Sequence, residues 1–366
     1  MIFALLIFFV LLYHFINSKH YHNKQKVYIQ FCTVVLILIS GLRHESVGND
    51  TFASMQSFER AINMSWSDVF SDFWLRYLHP NKDWGKDPAE YILYKCLSLV
   101  THDSRIFLFL IAALVLIPVG YFIYKFSSNL VATMFTYVFF TVLLYQYVPN
   151  SAVRQPIAVV SYLLSLVFLK DKKYFYFVIL LLLGSLFHKS VLIGIFILPF
   201  VFFNNIRKSY KLSLPIFLIV LLFYNEIGHI LVGDNEIYGD YLQGSYYASV
   251  GTRPINVILL FIMFYILGFF YMRTDAKQTV YSFEYYGTCL TLIFIPLIWI
   301  DPSMLRITAY FALFVPLLLG RLSANSHQRM IFLSIIIIVL MLKSFFESKY
   351  GFMWEDLQLH DRYIRN

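Results

Sequence analysis

Long apolar runs separated by short polar turns carry this chain from one end to the other, and most are too uniformly apolar to show the polar face of a soluble helix. Taken as helices, they predict spans at 1–17, 27–42, 105–125, 129–149, 155–170, 174–187, 190–203, 212–225, 254–272, 283–300, 304–320 and 330–346. That is about twelve, given that roughly 20 residues cross the hydrocarbon core. The runs at 174–187 and 190–203 are short enough to be a single tilted helix. Charge decides between the two readings. Lys170, Lys172 and Lys173 precede the pair while Arg207, Lys208 and Lys211 follow it, so only two spans put both basic clusters on one side.

The same rule orients the rest. Loops carrying Lys19, Lys24 and Lys26, then Lys125, then Arg273 and Lys277, and finally Arg321 and Arg329 fall on the same face as those clusters, which makes that face cytoplasmic and both termini external. The fold class expected is an all-α integral membrane bundle forming a single domain over 1–366, with a long external loop between the second and third helices. That loop, 43–104, holds nine of the 21 acidic residues, so the polar chemistry is expected outside. Within it Asp87, Pro88 and Glu90 read as an N-cap, a proline at the first helical position and an acid in the first turn, predicting a short amphipathic helix over 88–100 at the outer leaflet. A second external loop, 226–253, is rich in glycine and tyrosine and holds Asp234, Glu236 and Asp240.

Composition agrees with the pattern: 59% of residues are hydrophobic and 14% charged, against about one quarter charged in soluble domains, and the mean hydropathy is +0.67. A soluble enzyme and a single-span receptor are excluded. Cys32, Cys96 and Cys289 are too few and too scattered for a disulfide framework or a zinc site. The net charge of +8 is distributed through short inter-helix loops, so it reports topology and not a nucleic-acid stripe. There is no phosphate loop and no dinucleotide fingerprint, and no metal or other cofactor is expected.

What stands out is a set of cations where external turns should be poor in them: Arg43, Arg154, Lys189, Arg253 and Arg306, each beside an apolar helix end. An arginine at mid-membrane depth costs about 2.5 kcal/mol or more on insertion scales, and less near the interface. Taken singly, each is accounted for by snorkelling or by pairing with an acid. Five from different helix ends match the demand of a membrane-anchored anion, with diphosphate the obvious one. His188, directly before Lys189, and Asp50, in the charged segment from Arg43 to Thr51, are the two candidates for proton transfer. External aromatics, among them Trp66, Trp74, Tyr238, Tyr241, Tyr246 and Tyr247, suit stacking on sugar rings.

Four stretches carry a family resemblance: Arg43 to Thr51, of the type R-x-x-x-V-G-x-D-T; Arg154-Gln155-Pro156-Ile157-Ala158; Leu186-Phe187-His188-Lys189-Ser190; and Arg306 with Tyr310 and Phe311. In their order and predicted topology they resemble the EpsG-like branch of the Wzy polysaccharide polymerases. One departure is visible: Phe52, Ala53 and Ser54 follow Thr51 where such proteins often place a tyrosine. The resemblance implies transfer of a growing glycan from a polyprenyl diphosphate carrier to a lipid-linked repeat unit at the outer face, without metal or nucleotide sugar. Together with the cation set above, this makes Arg43, Arg154, Arg306, Lys189 and Arg253 the expected diphosphate contacts, His188 or Asp50 the expected acceptor of the proton, and Gln155, Tyr310 and Tyr246 the expected substrate contacts. The expected partners are the polyprenyl-diphosphate-linked oligosaccharide, membrane lipids and a chain-length regulator. A lipid-linked oligosaccharide flippase and a membrane O-acyltransferase remain as alternatives on the residues alone. The first is disfavoured by ionisable groups gathered at helix ends, and the second by a cytoplasmic side bare of chemistry.

Overall fold

A computed structural model of the chain describes residues 23–45, 47–48, 50–80, 87–145, 148, 153–232, 255–272, 282–300, 304–324, 331 and 335. Among these the regular structure is entirely helical, with no strand. The first helix, α1, spans Lys24–Gly41, and the Asn23 side chain caps it by accepting from the Lys26 N–H. After a turn in which Gly48 adopts a positive φ of 98°, three short helices follow: α2 (Thr51–Asn63), α3 (Trp66–Leu78) and α4 (Glu90–Ser98). Next come α5 (Ser104–Phe126), started by Asp103 accepting from two backbone N–H groups, and α6 (Leu130–Leu143), capped by Asn129.

Helices α7 (Arg154–Lys170) and α8 (Tyr174–Ser185) form an antiparallel pair whose tight link places Lys172 at a positive φ of 60°. A 3-10 segment, Lys189–Phe196, runs into α9 (Ile197–Phe203). Then come α10 (Ile206–Leu222), α11 (Tyr224–Val232), α12 (Ile255–Met272) and α13 (Ser282–Phe294), the last extended by a 3-10 segment Ile295–Trp299. Finally α14 (Leu305–Ala312) and α15 (Phe314–Ser323) join into a single rod.

By length and composition, Ser104–Phe126 and Leu305–Ser323 can cross a membrane, and a third span exists if α10 and α11, bent by 87° at their junction, are one. The other apolar helices are shorter, including Leu130–Leu143, Tyr174–Ser185 and Lys189–Phe203. The expected first span, 1–17, lies outside the described residues, as does all but 331 and 335 of the last.

Two cores organise the chain. The larger runs through α1, α5 to α10 and α12 to α15, with Tyr162, Tyr285, Phe311 and Phe314 among its fully buried side chains. The helices of its α6–α15 contact approach very closely: a Cβ on Gly320 would lie 2.1 Å from Thr136 Oγ1 and 2.5 Å from the Ala132 carbonyl oxygen. The smaller core joins Phe58 of α2, Val69 of α3, Tyr91 and Tyr94 of α4, and Phe107 and Ile111 of α5. Phe58 and Phe107 stack with centroids 4.3 Å apart. The long segment between α1 and α5 is thus a helical cap fastened to the start of α5.

The single helix expected at 88–100 is therefore one of three. It begins at Glu90, and the expected capping role of Asp87 is not found: Ala89 occupies the cap position and makes no side-chain cap bond. The Asp87 carboxylate goes to Arg154 instead. An ionic hydrogen bond to a guanidinium outweighs one to a neutral backbone N–H.

Candidate functional site

Asp87, three residues before α4, and Glu90, its first residue, face the same arginine. Arg154, at the first position of α7, meets both: Nη1 lies 2.9 Å from Asp87 Oδ2 and Nε lies 3.8 Å from Glu90 Oε1. Glu90 is shared, because its other oxygen accepts from Arg76 Nη1 of α3 at 3.1 Å. Arg76 in turn places Nε 2.8 Å from Asp72 and lays its guanidinium over the Tyr91 ring at 4.6 Å. Two arginines and three acids thus alternate across three helices, most of them buried.

The electrostatics follow from that order. Burial opposes the charge on Arg154, but Glu90 and Asp87, with Asp50 further off, outweigh it and hold the guanidinium above its ordinary value. Burial pushes the Asp72 carboxyl up, with Arg76 only partly offsetting it. Asp50, in the N-cap position of α2, makes no cap bond and is half-buried within electrostatic reach of Arg154.

A second group joins this one from the other side. The buried Gln155 donates its amide to the Arg306 carbonyl at 3.1 Å, which ties the start of α7 to the start of α14 and brings the backbones of Arg154 and Arg306 onto neighbouring turns. Among the described residues the Arg306 guanidinium forms no ion pair, and it is half-buried. One turn on, Tyr310 is fully buried, within electrostatic reach of Asp87 and Arg306, and its hydroxyl lies 2.9 Å from Ser190 Oγ. Ser190 Oγ lies 2.5 Å from His188 Nδ1. The turn bearing His188 is also bonded to the α4 side, through the Ala89 N–H and the Leu186 carbonyl at 3.1 Å.

The structure therefore gathers Arg154, Gln155, Arg306, Tyr310, His188 and Asp50 around the junction of α4, α7, α14 and the 186–190 turn. Lys189 points to the exposed side of that turn. Arg43 has a different environment: it is buried beyond the end of α1, donating from Nη1 to the Ser40 carbonyl at 3.0 Å and to Ser40 Oγ at 2.9 Å. Burial pulls it down to about 10, with Tyr145 acting in the opposite direction. Arg253 and Tyr246 lie outside the described residues, as do Asp234 and Glu236. Among the described residues no cluster of three or more His, Cys, Asp or Glu side chains has the arrangement to hold a metal ion.

The sequence reading missed Arg76 as a member of the network, and took Glu90 and Asp87 for helix-start residues only. The signal available was their spacing, two acids on one face beside an aromatic face. Ser190 was part of a quoted stretch but had no role there.

Chemically, the junction offers one arginine, Arg154, already held by carboxylates, a second, Arg306, with no ion pair among the described residues, an aspartate and a histidine in the same neighbourhood, and no metal-binding arrangement among the described residues. A family model described as the EpsG family matches residues 26–352, most of the chain. No curated protein and no solved structure matches it.

Proposed function

Because the chain belongs to the EpsG family, whose members are Wzy-type polysaccharide polymerases, we propose that it lengthens a surface glycan. In this reading it moves the growing chain from a polyprenyl diphosphate onto a lipid-linked repeat unit at the outer face of the inner membrane. The single observation that supports it best is the bond from the Gln155 amide to the Arg306 carbonyl, which ties the helix start bearing Arg154 to the helix start bearing Arg306.

The step is a glycosyl transfer. An acceptor hydroxyl oxygen attacks the anomeric carbon of the donor, the bond from that carbon to the diphosphate oxygen breaks, and the lipid diphosphate leaves with the electron pair. Negative charge grows on the departing oxygen, and fixed cations there lower the barrier most, one such donor being worth about 3 kcal/mol. Arg306, with no acid against its guanidinium among the described residues, is the better placed of the two to take up the diphosphate. Arg154 joins it by adding the substrate anion to, or exchanging it for, the carboxylates of Asp87 and Glu90. Lys189, Arg43 and Arg253 are further diphosphate contacts in this reading, Gln155, Tyr310 and Tyr246 shape the substrate site, and Asp50 or His188 receives the acceptor proton. The about twelve spans with both termini external belong to the same proposal.

Deletion of the gene followed by gel analysis of the surface glycan tests the function. Single-repeat caps are the expected result. Complete loss of glycan would replace this reading with a flippase, and a normal ladder with altered acylation would replace it with an acyltransferase.

A further inference from the structure

Tyr310, Ser190 and His188 form a relay whose direction decides which ring nitrogen carries the histidine proton. A buried phenol keeps its O–H proton, and among the described residues the one hydrogen-bond partner of the Tyr310 hydroxyl is Ser190 Oγ. A buried donor without an acceptor costs about 1–3 kcal/mol, more than an acceptor with a spare lone pair. If Nδ1 held the ring proton it would donate to Ser190. The serine proton would then have to turn to Tyr310 and leave the phenol proton without an acceptor, or else itself be left without one. The opposite direction, Tyr310 to Ser190 to His188 Nδ1, gives both the tyrosine and the serine proton an acceptor.

We propose that His188 is held as the neutral tautomer with its proton on Nε2, and that it serves the polymerase as a hydrogen-bond donor to the departing diphosphate rather than as the base. Ser190 and Tyr310 are its positioning residues. This rests on the polymerase reading and deepens it. The diphosphate leaves as the anion with the electron pair of the broken bond, His188 keeps its proton throughout, and the acceptor proton passes to Asp50. Arg306 and Nε2 of His188 then act on one developing charge from two sides, one as a cation and one as a neutral dipole.

The test uses membranes holding the full chain, from a strain deleted for its own copy, with variants at matched membrane levels. The substrate is the lipid-linked repeat unit that such a deletion strain accumulates. The rate of chain lengthening falls roughly 100-fold in His188→Ala, the range for loss of a transition-state donor. His188→Gln, whose amide N–H2 reaches the Nε2 position, recovers about ten-fold of that loss. Equal inactivity of the alanine and glutamine variants overturns the donor role and returns the histidine to the base. Tyr310→Phe lowers the rate about ten-fold when residue 188 is histidine but only about two-fold in the His188→Gln background, where there is no tautomer to set and only its contribution to the substrate site is lost. A loss of the same size in both backgrounds means that Tyr310 only packs, and overturns its positioning role. Failure of the wild-type chain to lengthen the repeat unit rejects the polymerase reading itself, a result distinct from any of these.

Discussion

Arg154 Nη1 and Asp87 Oδ2 lie 2.9 Å apart, yet the pair is not symmetric: the arginine side chain is one-third exposed and the aspartate side chain only 3% exposed. Removing the arginine takes its guanidinium partner from a carboxylate with little water around it, whereas removing the aspartate leaves a cation that reaches solvent and retains Glu90. Arg154→Gln is therefore expected to lower stability by about 3 kcal/mol and Asp87→Asn by about 1 kcal/mol. Thermal unfolding of the detergent-solubilised protein measures both, and equal shifts would contradict the asymmetry.

Glu90 bridges two arginines, so its loss is felt on both sides. In Glu90→Gln, Arg76 retains only Asp72, whose charge burial already disfavours, and the variant is expected to lose about 2 kcal/mol. The loss is local. Hydrogen exchange should quicken across α2 to α4 while α5 and α15 remain protected, and uniform loosening of the whole chain would be the wrong result.

The start of α3 carries a pH-dependent lock. Ser65 and Asp68 form a reciprocal capping box, and the Ser65 hydroxyl and backbone N–H hold the Asp68 carboxyl below its ordinary value. A carboxyl depressed in the folded state adds stability that is complete above its unfolded value, about 3.9, and is lost as pH falls through the lower folded one. Exchange at the α3 amides, corrected for intrinsic rate, should accelerate below about pH 4 in the wild type. In Ser65→Ala it should be fast at neutral pH already, with about 1 kcal/mol of protection lost.

Gly320 sets the separation of α15 and α6. Because a new Cβ would meet the Ala132 carbonyl as well as Thr136, side-chain movement alone does not relieve Gly320→Ala. A cost of about 1–3 kcal/mol is expected. Recovery of monodisperse protein from detergent should drop, and wild-type recovery and melting would show that the helices part easily.

The helices at 105–125, 155–170 and 304–320 were legible because an apolar run is a local property that burial of the backbone in lipid turns directly into helix. The cap region was half legible. Its acids and its helix at Glu90 stood out, but α2 and α3 did not, because the apolar residues that hold them, Phe58 and Val69, find their partners on α4 and α5 and show no long run of their own. Asp87 misled because a cap and an ion pair draw on the same residue type at the same helix start.

What the sequence determined by itself is the chain's class and the list of groups able to do chemistry at its helix ends. It could not determine which of them meet. Gln155 and Arg306 are separated by 151 positions, and Ser190 and Tyr310 by 120. Neighbourhood across such distances is set by how helices pack, and packing depends on side-chain volumes summed over the whole core. The tertiary structure alone put Asp87 and Glu90 against Arg154, left Arg306 without an acid among the described residues, and brought a histidine, a serine and a tyrosine into one chain of hydrogen bonds.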